Sequence, residues 1–329
     1  MRKVIRNALW IVGLSWMLVT GAVAEDIKLS DLDRIYRLQN IQTPPPVIFD
    51  LGGEDVSYDR KLGAFVSAKE ESKRQTVMRP LISMLPEPIP PPPNRTPLIA
   101  VVIDDMGVDV KRSARAVKNL PAAVTLAYLP YSKNIRGQVA SAKEQGHEVM
   151  LHMPWQPDRD TADPGPNHLS TGMTAERLQK NVVANLDGFE GYDGVNNHMG
   201  SRFSRFRPGL AIVMAEIKKR GVFFLDSKTT PDSAAEKVAQ EYGVPVTHRD
   251  VFLDHDEDPQ MVGSSLQEVE NVARRKGSAV AIGHPKDVTL DNLEPWLATL
   301  ESKGFRLAPL SDVLKFREDA RVASITRKK

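Results

Sequence analysis

Polar side chains that could do acid–base or metal chemistry follow short apolar runs at several places in the sequence. Asp104 and Asp105 come directly after the run 98–103, so two adjacent carboxylates emerge where a buried strand is expected to end. Three further residues repeat this arrangement after later apolar runs, namely His152, Asp226 and His284. Because α/β enzymes keep their chemistry at the carboxyl ends of parallel strands, we expect these side chains to meet in one site.

Two adjacent carboxylates at a strand end can divide the work of hydrolysis. Side chains alternate along a strand, so one aspartate can bind a metal while the other stays free as a base. Aspartate is also common in turns and helix caps, so the pair by itself is equally compatible with an ordinary loop.

Two histidines add metal-binding character to this set. His152 ends the run 148–152, and His198 follows a short strand predicted at 194–197. Neutral imidazole combined with carboxylate is the ligand mixture that zinc prefers at a catalytic site with an open position. A single histidine of this kind is often an ordinary loop residue, but two at successive strand ends beside Asp105 predict a metal site. Zn²⁺ is the expected ion.

The elements that would position these residues form a regular pattern from Leu98 to about Phe316. Apolar, β-branched runs predict strands at 98–103, 123–128, 148–152, 194–197, 222–225, 244–247, 279–283 and 305–308. Helical periodicity between them predicts helices, for example at 111–119, 174–186, 208–220, 265–276 and 290–303. Strands that alternate with helices indicate an α/β fold with a parallel sheet. We expect a (β/α) barrel, complete or distorted, with seven or eight strands, and a doubly wound open sheet is the alternative.

The first 24 residues have the layout of a secretory signal peptide. Arg2, Lys3 and Arg6 precede an apolar stretch, which is followed by the small-residue triplet Ala22-Val-Ala24. The apolar stretch is shorter than the roughly 20 residues that a spanning helix needs, although an uncleaved anchor is the alternative. We therefore expect cleavage before Glu25 and a periplasmic or secreted mature protein.

Charge and cysteine content restrict the possible partners and the means of stabilisation. Cleavage at that point would change the formal net charge from +2 to −1, because three positive and no negative charges are removed. A near-neutral chain has no basic surface for nucleic acid. The sequence contains no cysteine, so an exported protein of this size must be held by its core and not by disulfides.

The stretch from residue 25 to residue 97 differs from the rest. One short amphipathic helix is expected at 30–38, and the Pro-rich run 85–94 favours an extended polyproline spacer. We interpret residues 25–97 as a poorly ordered arm that could reach an envelope protein partner. The globular domain is then expected over 98–316, followed by a basic, frayed C-terminal tail over 317–329.

These landmarks resemble the polysaccharide deacetylases of the NodB-homology type, which are carbohydrate esterases, and specifically their divergent YibQ-like branch. The resemblance covers residues 98 to about 316 and implies a NodB-like barrel. Asp104-Asp105 resembles the first motif, in which the first aspartate is the catalytic base and the second binds the metal. The segment Gly146 to His152 resembles the second motif, whose last histidine binds the metal. Asp226 resembles the fourth-motif aspartate, and His284 resembles the fifth-motif histidine that acts as general acid.

The sequence departs from the ordinary family pattern at the metal site. Ordinary members carry a second metal-binding histidine four residues after the first, where this chain has Gln156. His198 falls where the third-motif arginine loop normally lies, so the resemblance implies that His198 supplies the missing imidazole. Arg202 is near enough in sequence to be considered for the arginine that orients the base.

The resemblance also implies a reaction and a substrate class. Acetyl groups would be hydrolysed from an envelope polysaccharide or peptidoglycan fragment, with Asp226 orienting His284 as it protonates the departing amine. Asp226 is equally acceptable as a helix cap on local sequence. Trp155 and Tyr131 follow predicted strand ends and are candidates for stacking on a sugar, although such aromatics also pack against the rim. Asp254 is a candidate for lining the pocket.

Two classes of function remain open on the sequence. The first is a metal-dependent envelope deacetylase, which is favoured by the joint presence of the acid and base residues. The second is a non-catalytic carbohydrate-binding or scaffold protein of the cell envelope, which is favoured by the altered metal motif. A fold resemblance does not decide between them, because related folds carry unrelated functions.

Overall fold

The computed structural model describes residues 49–50, 55–59, 64–67 and 96–326. The chain forms two compact units, Met1–Glu87 and Pro88–Lys329. Within these described residues no helix is both long enough and apolar enough to cross a membrane. The expected signal peptide, the helix at 30–38 and the Pro-rich run lie outside the described residues.

The first unit contains a small antiparallel sheet. Its strands are β1 (Phe49–Asp50), β2 (Asp55–Asp59) and β3 (Ala64–Ser67), in the order β1-β2-β3. The predicted poorly ordered arm therefore contains sheet structure that the sequence analysis missed. The signal was present in the polar–apolar alternation of residues 55–59, which is the period of a strand.

The second unit alternates strands and helices along the chain. Its strands are β4 (Leu98–Met106), β5 (Thr125–Tyr128), β6 (Val149–Trp155), β7 (Gly194–Met199), β8 (Phe223–Asp226), β9 (Val246–His248), β10 (Val251–Phe252), β11 (Ser278–Gly283) and β12 (Arg306–Leu307). Its helices are α1 (Val110–Asn119), α2 (Ile135–Glu144), α3 (Ala175–Leu186), α4 (Arg207–Arg220), α5 (Ala235–Glu241), α6 (Pro259–Lys276), α7 (Asp287–Leu297) and α8 (Leu310–Thr326).

The strands of the second unit form one parallel sheet in the order β10-β11-β4-β5-β6-β7-β8-β9, with β12 beside β4. The two end strands, β9 and β10, are separated along the chain only by Arg249 and Asp250. The Arg249 N–H donates to the Asp226 carbonyl of β8, and the Asp250 N–H donates to the Val280 carbonyl of β11. β9 and β10 thus behave as one interrupted strand that brings the ends of the sheet together. The predicted distorted (β/α) barrel is confirmed.

Alternate residues of each strand pack into different layers. In β4, the residues Leu98, Ala100 and Val102 belong to an inner cluster inside the barrel. The intervening residues belong to an outer cluster beneath the helices. Because side chains alternate along a strand, this parity decides which residues at the strand ends face the barrel mouth.

Helix α8 packs against the inner cluster through Leu310, Val313 and Leu314. Arg317, in the same helix, donates hydrogen bonds to the Thr247 hydroxyl and to the carboxylate of Asp250. The boundary expected between residues 316 and 317 therefore falls inside α8, and residues 317–326 continue the last helix of the unit.

Three helices, α2, α5 and α8, are not among those named from the sequence. In α2 only Val139 and Ala142 are buried, so its apolar stripe is too narrow to be recognised by periodicity. β10 was also missed, because its two residues are too few to produce a pattern.

Candidate metal centre and active site

The two adjacent aspartates lie in an irregular part of β4. The register between β4 and β5 shifts between Ile103 and Met106, and Asp105 has a backbone φ of 56°. Asp104 continues the inward-facing positions of the strand and is 3% exposed. A regular strand would direct consecutive side chains to opposite faces, whereas this irregularity lets both carboxylates reach the barrel mouth.

Asp105, His152 and His198 converge on one point. Asp105 Oδ1 lies 2.8 Å from His198 Nδ1 and 3.3 Å from His152 Nε2, and the two nitrogens are 3.2 Å apart. These residues are also the group of potential metal ligands found among the described part of the chain. Asp105 Oδ1 is buried and accepts no well-formed hydrogen bond from the described residues, although both nitrogens are close.

The size of this triangle fits a small divalent ion. Zinc binds nitrogen and carboxylate oxygen at about 2.0–2.2 Å, which in a tetrahedral site places ligand atoms roughly 3.4 Å apart. Three donor atoms of suitable type, spaced close to that distance, form a coherent partial ligand set, and one of them, Asp105 Oδ1, has no hydrogen-bonding partner among the described residues.

The electrostatics of the cluster also favour a cation. Burial disfavours the charged form of Asp105, but the imidazoles of His152 and His198 hold the pKa of its carboxyl well below the usual value. Burial likewise opposes protonation of His152, but the charges of Asp104 and Asp105 raise its pKa. The cluster therefore carries a carboxylate that favours its ionised form beside an imidazole, that of His152, that favours its protonated form.

Strand register explains how the two histidines meet. In the pairing of β6 with β7, His152 lies opposite Asn196 and Pro154 lies opposite His198. Met150 belongs to the inner cluster, and His152 shares its parity, so His152 faces the barrel interior. His198 is two residues beyond Asn196 and faces the same way.

Gln156, the residue at the position of the missing family histidine, is directed elsewhere. Its side-chain oxygen accepts hydrogen bonds from the hydroxyls of Ser170 and Thr171 and from the Thr171 N–H. The side chain that completes the cluster comes from the neighbouring strand, at His198.

Asn196 is a site residue that the sequence analysis missed. Its Oδ1 lies 2.8 Å from His152 Nδ1, and its Nδ2 donates a 2.7 Å hydrogen bond to Asp104 Oδ1. The available signal was position, because Asn196 precedes His198 by two residues in a strand and therefore shares its face.

Asp104 lies beside the cluster. Its Oδ2 is 3.7 Å from His152 Nε2. Burial raises the pKa of Asp104, although the nearby His152 and His284 oppose this shift. A buried carboxyl with a raised pKa is a suitable proton acceptor, since general bases work best when their pKa approaches the working pH.

His284 is held by Asp254. His284 Nδ1 lies 2.9 Å from Asp254 Oδ1, and Thr289 Oγ1 donates a 2.7 Å hydrogen bond to Asp254 Oδ2. His284 Nε2 lies 3.7 Å from Asp105 Oδ2, at the edge of the metal cluster. Burial opposes protonation of His284, but its hydrogen bond and charge interaction with Asp254 raise its pKa.

The expectation that Asp226 orients His284 is wrong. Phe224 belongs to the outer cluster, and Asp226 shares its parity, so its carboxylate lies on the helix side of the sheet. There it accepts hydrogen bonds from the Lys228 N–H and the Ser233 hydroxyl. The expectation that Asp254 lines the substrate pocket is also corrected, since Asp254 is 1% exposed and serves His284.

Trp155, a candidate for sugar stacking, and Arg202, a candidate for orienting the base or contacting substrate, are not placed for those roles. Trp155 is fully buried and packs against Phe203 and Phe224, so stacking on a sugar is excluded for this side chain. Arg202 pairs with Asp160 at 3.0 Å, and no contact between it and Asp104 is present. Both expectations assumed that a residue near a motif faces the mouth, which neither does.

Tyr131 remains available at the rim. Its side chain is 39% exposed, and its hydroxyl makes a 3.4 Å contact with the Pro164 carbonyl. Burial of the ring and the negative charge of Asp105 raise its pKa to about 12. Tyr131 is thus an exposed aromatic within electrostatic range of the cluster.

The barrel agrees with the comparisons to known proteins. Residues 101–314 match the model of the family described as divergent polysaccharide deacetylase. The match covers more than half of the chain, and the chain therefore belongs to this family. The family resemblance inferred from the sequence motifs is confirmed.

Individual relatives agree with this assignment. Over 203 residues the chain is 34% identical to an uncharacterized protein of Haemophilus influenzae, a match that covers 61% of this chain and 71% of that one. It is 32% identical over 203 residues to the uncharacterized protein YibQ of Escherichia coli, covering 61% of this chain and 63% of that one. The match therefore spans less than two thirds of the Escherichia coli protein.

A solved structure shares the fold. The uncharacterized protein ATU2773 from Agrobacterium tumefaciens superimposes with a TM-score of 0.65 at 26% identity. The alignment covers 68% of this chain and 91% of that chain.

Proposed function

We propose that this protein is a metal-dependent hydrolase that removes acetyl groups from an envelope glycan or a peptidoglycan-type substrate. The observation that carries the proposal is the convergence of three ligand atoms, from Asp105, His152 and His198, beside a buried carboxyl and a carboxylate-held histidine. Membership of the divergent polysaccharide deacetylase family supports the substrate class. The signal-peptide layout of residues 1–24 supports a periplasmic or secreted site of action.

Asp105, His152 and His198 would hold the ion, and the donor set suits Zn²⁺. When bound, such an ion lowers the pKa of water and polarises an acyl oxygen. This mixture of one carboxylate and two imidazoles leaves a position open for the reactants.

Asp104 would act as the base. Its Oδ1 accepts the hydrogen bond from Asn196, so Oδ2 is the oxygen free to take a proton from the attacking water. Burial raises the pKa of Asp104, which allows the carboxyl to keep that proton during the reaction.

His284 would act as the acid. Asp254 accepts from Nδ1, so the second ring nitrogen, Nε2, faces the cluster and donates its proton to the departing nitrogen. Its raised pKa keeps this proton in place until the carbon–nitrogen bond breaks. The products are acetate and a glycan amine. Tyr131, at the rim, would contact a sugar ring.

The second candidate is a non-catalytic carbohydrate-binding or scaffold protein, and the presence of Gln156 in place of the usual histidine favours it. The pairing of Asp254 with His284 favours the enzyme, because a binding protein has no need of an oriented acid. A protein partner for the Pro-rich arm remains a proposal from the sequence.

One experiment separates these candidates. Metal content of the purified mature protein is measured by elemental analysis, and acetate release is measured on a panel of N- and O-acetylated glycans. An enzyme is expected to contain about one divalent ion per chain and to release acetate, and the Asp104→Asn variant is expected to keep the ion and lose the activity. Glycan binding with no acetate release from any member of the panel would support the binding protein.

A further inference from the structure

Asn196 lies between two parts of the site that belong to different strands. It is completely buried, and every polar group of its side chain has a partner. Its Oδ1 is 2.8 Å from His152 Nδ1, while its Nδ2 donates to Asp104 Oδ1 at 2.7 Å and to Ser227 Oγ at 3.3 Å. One amide therefore joins a metal-ligand candidate to the candidate base.

The polarity of these contacts follows from the chemistry of the partners. An ionised carboxylate only accepts hydrogen bonds, so the amide nitrogen of Asn196 must face Asp104. The amide oxygen then faces His152, and the contact requires a proton on His152 Nδ1. With that proton on Nδ1, the lone pair of neutral His152 is on Nε2, the nitrogen that faces Asp105 and His198.

We propose that Asn196 is a positioning residue that sets the ligand tautomer of His152 and the orientation of Asp104 with the same side chain. Metal-binding histidines are generally oriented through their second nitrogen, most often by a carboxylate or a backbone carbonyl. Here a neutral amide does so and uses its other end on the base. The part that concerns Asp104 rests on the proposed function, and the part that concerns His152 does not.

Two substitutions separate the two contacts. Asn196→Asp keeps an oxygen acceptor for His152 but replaces the amide donor to Asp104 by a second carboxyl, which competes with Asp104 for one proton. Asn196→Leu has the same branched shape and number of side-chain heavy atoms, although its methyl groups are bulkier, and it removes both contacts. We expect Asn196→Leu to weaken the affinity for Zn²⁺ by about 10- to 100-fold, the loss seen when such an orienting partner is removed. We expect Asn196→Asp to bind Zn²⁺ as tightly as the parent or more tightly, and to lose about 100-fold in kcat at saturating Zn²⁺ with little change in KM.

Zn²⁺ affinity is measured by competition with a chromophoric chelator, and the tautomer of His152 is read directly from ¹⁵N spectra of the imidazoles. The spectra are recorded on metal-free protein at a pH where the ring is neutral. The parent and Asn196→Asp are expected to show the proton on Nδ1, whereas Asn196→Leu is expected to lose that preference. Asn185→Asp is the matched control, because Asn185 is an equally buried amide whose partners are the carbonyls of Asn167 and Asn181.

The outcomes are distinct. Unchanged Zn²⁺ affinity and an unchanged tautomer in Asn196→Leu would overturn the role toward His152. If Asn196→Leu fails to fold, a large loss of Zn²⁺ affinity in Asn196→Asp would overturn that role instead, because Asn196→Asp retains the acceptor. Equal kcat in Asn196→Asp and the parent would overturn the role toward Asp104. A parent that binds Zn²⁺ and releases no acetate would refute the proposed function, and with it the role toward Asp104, while the two measurements on His152 still decide the other role.

Discussion

Asp254 contacts His284 at two points, since its Oδ1 lies 2.9 Å from the ring Nδ1 and its Oδ2 accepts a 2.7 Å hydrogen bond from the backbone N–H. The two residues come from neighbouring strands, and the register that pairs Phe252 with Ile282 places them opposite each other just beyond the paired segment. This double contact fixes the direction of the ring, so Nε2 is directed to the edge of the metal cluster.

The first prediction concerns this pair. Asp254→Asn removes the charge that raises the pKa of His284 and leaves the tautomer of the ring undefined, so we expect kcat to fall by about 10²- to 10⁴-fold. Asp226→Asn is the control, because Asp226 is an equally buried carboxylate on the outer side of β8. Acetate release is the measurement. Similar losses of kcat in the two variants would contradict the assignment of Asp254.

The second prediction concerns the metal ligands. His198→Ala removes one corner of the ligand triangle, so we expect it to abolish stoichiometric metal binding. Gln156→Ala is expected to leave the metal content nearly unchanged, because the Gln156 side chain bonds to the loop that contains Ser170 and Thr171. Elemental analysis of both purified variants is the test, and the opposite ranking would refute the ligand set.

The third prediction separates the two adjacent aspartates. Asp105→Asn removes a carboxylate ligand and is expected to lose metal and activity together. Asp104→Asn is expected to keep the metal and to lose kcat by about 10²- to 10⁴-fold, because only the proton acceptor is missing. Metal content and kcat are measured on the same preparations, and equal metal loss in both variants would contradict this division of roles.

The fourth prediction concerns stability at the other end of the barrel. Asp250 is 2% exposed in its side chain and is paired with Arg317 and Lys276. Removing one partner of a buried pair typically costs about 3–5 kcal/mol. Because Lys276 still pairs with Asp250 in the variant, we expect Arg317→Ala to lower the free energy of unfolding by up to about that amount in urea titrations. Arg306→Ala, which removes an exposed arginine 3.9 Å from Asp312, is the control and is expected to change it by less than about 1 kcal/mol.

The same pair gives an expected pH dependence. Burial opposes ionisation of Asp250, but Arg317 and Lys276 hold its folded pKa below the ordinary value. The contribution of Asp250 to the free energy of unfolding is therefore complete above its unfolded pKa of about 3.9. This contribution is lost as the pH falls through the lower folded pKa. The difference in unfolding free energy between the parent and Asp250→Asn should be constant from pH 8 to about pH 5 and smaller at pH 3. A constant difference down to pH 3 would argue against ionic pairing.

The fifth prediction concerns the rim. Tyr131→Ala is expected to raise KM for a glycan several-fold with little change in kcat, because an exposed aromatic contributes binding and no proton transfer. Trp155→Ala is expected to lower the free energy of unfolding by about 3–5 kcal/mol, as for a buried aromatic removed from a core. A selective effect of Trp155→Ala on KM in a fully stable protein would show that its burial had been misjudged.

Much of the barrel could be predicted because its strands are continuous apolar runs. The run 98–103 extends in the structure to Met106, and the predicted helix at 111–119 begins at Val110. The strand predicted at 244–247 is found at Val246–His248 as β9, and β10 begins after a gap of two residues. β10 is a strand because it pairs with β11, which is distant in sequence. Its two residues alone were too short to be recognised as a strand.

Most of the metal cluster could be predicted for the same reason, since Asp105 and His152 close apolar runs; His198 follows the more polar run 194–197 and was indicated by its neighbouring strand position and by the family resemblance. The partner of His284 could not. Asp226 and Asp254 both follow apolar runs. The side chain of Asp226 points to the helix side of the sheet and that of Asp254 to the barrel interior, and only the alternation of side chains along each strand decides this difference. Which face each residue points to is determined by the pairing register of its strand, and the residues around Asp226 and Asp254 do not reveal that register.

Three non-glycine residues near the barrel mouth, Asp105, Met199 and Lys228, have positive φ angles between 50° and 56°. Such a conformation costs about 1–3 kcal/mol at each position, and glycine would relieve it. Stability alone therefore favours the loss of Asp105, so a lineage released from its function would be expected to drift towards glycine or asparagine there. If distant relatives keep aspartate at this position, selection has favoured its chemical function over the higher thermal stability that glycine would give.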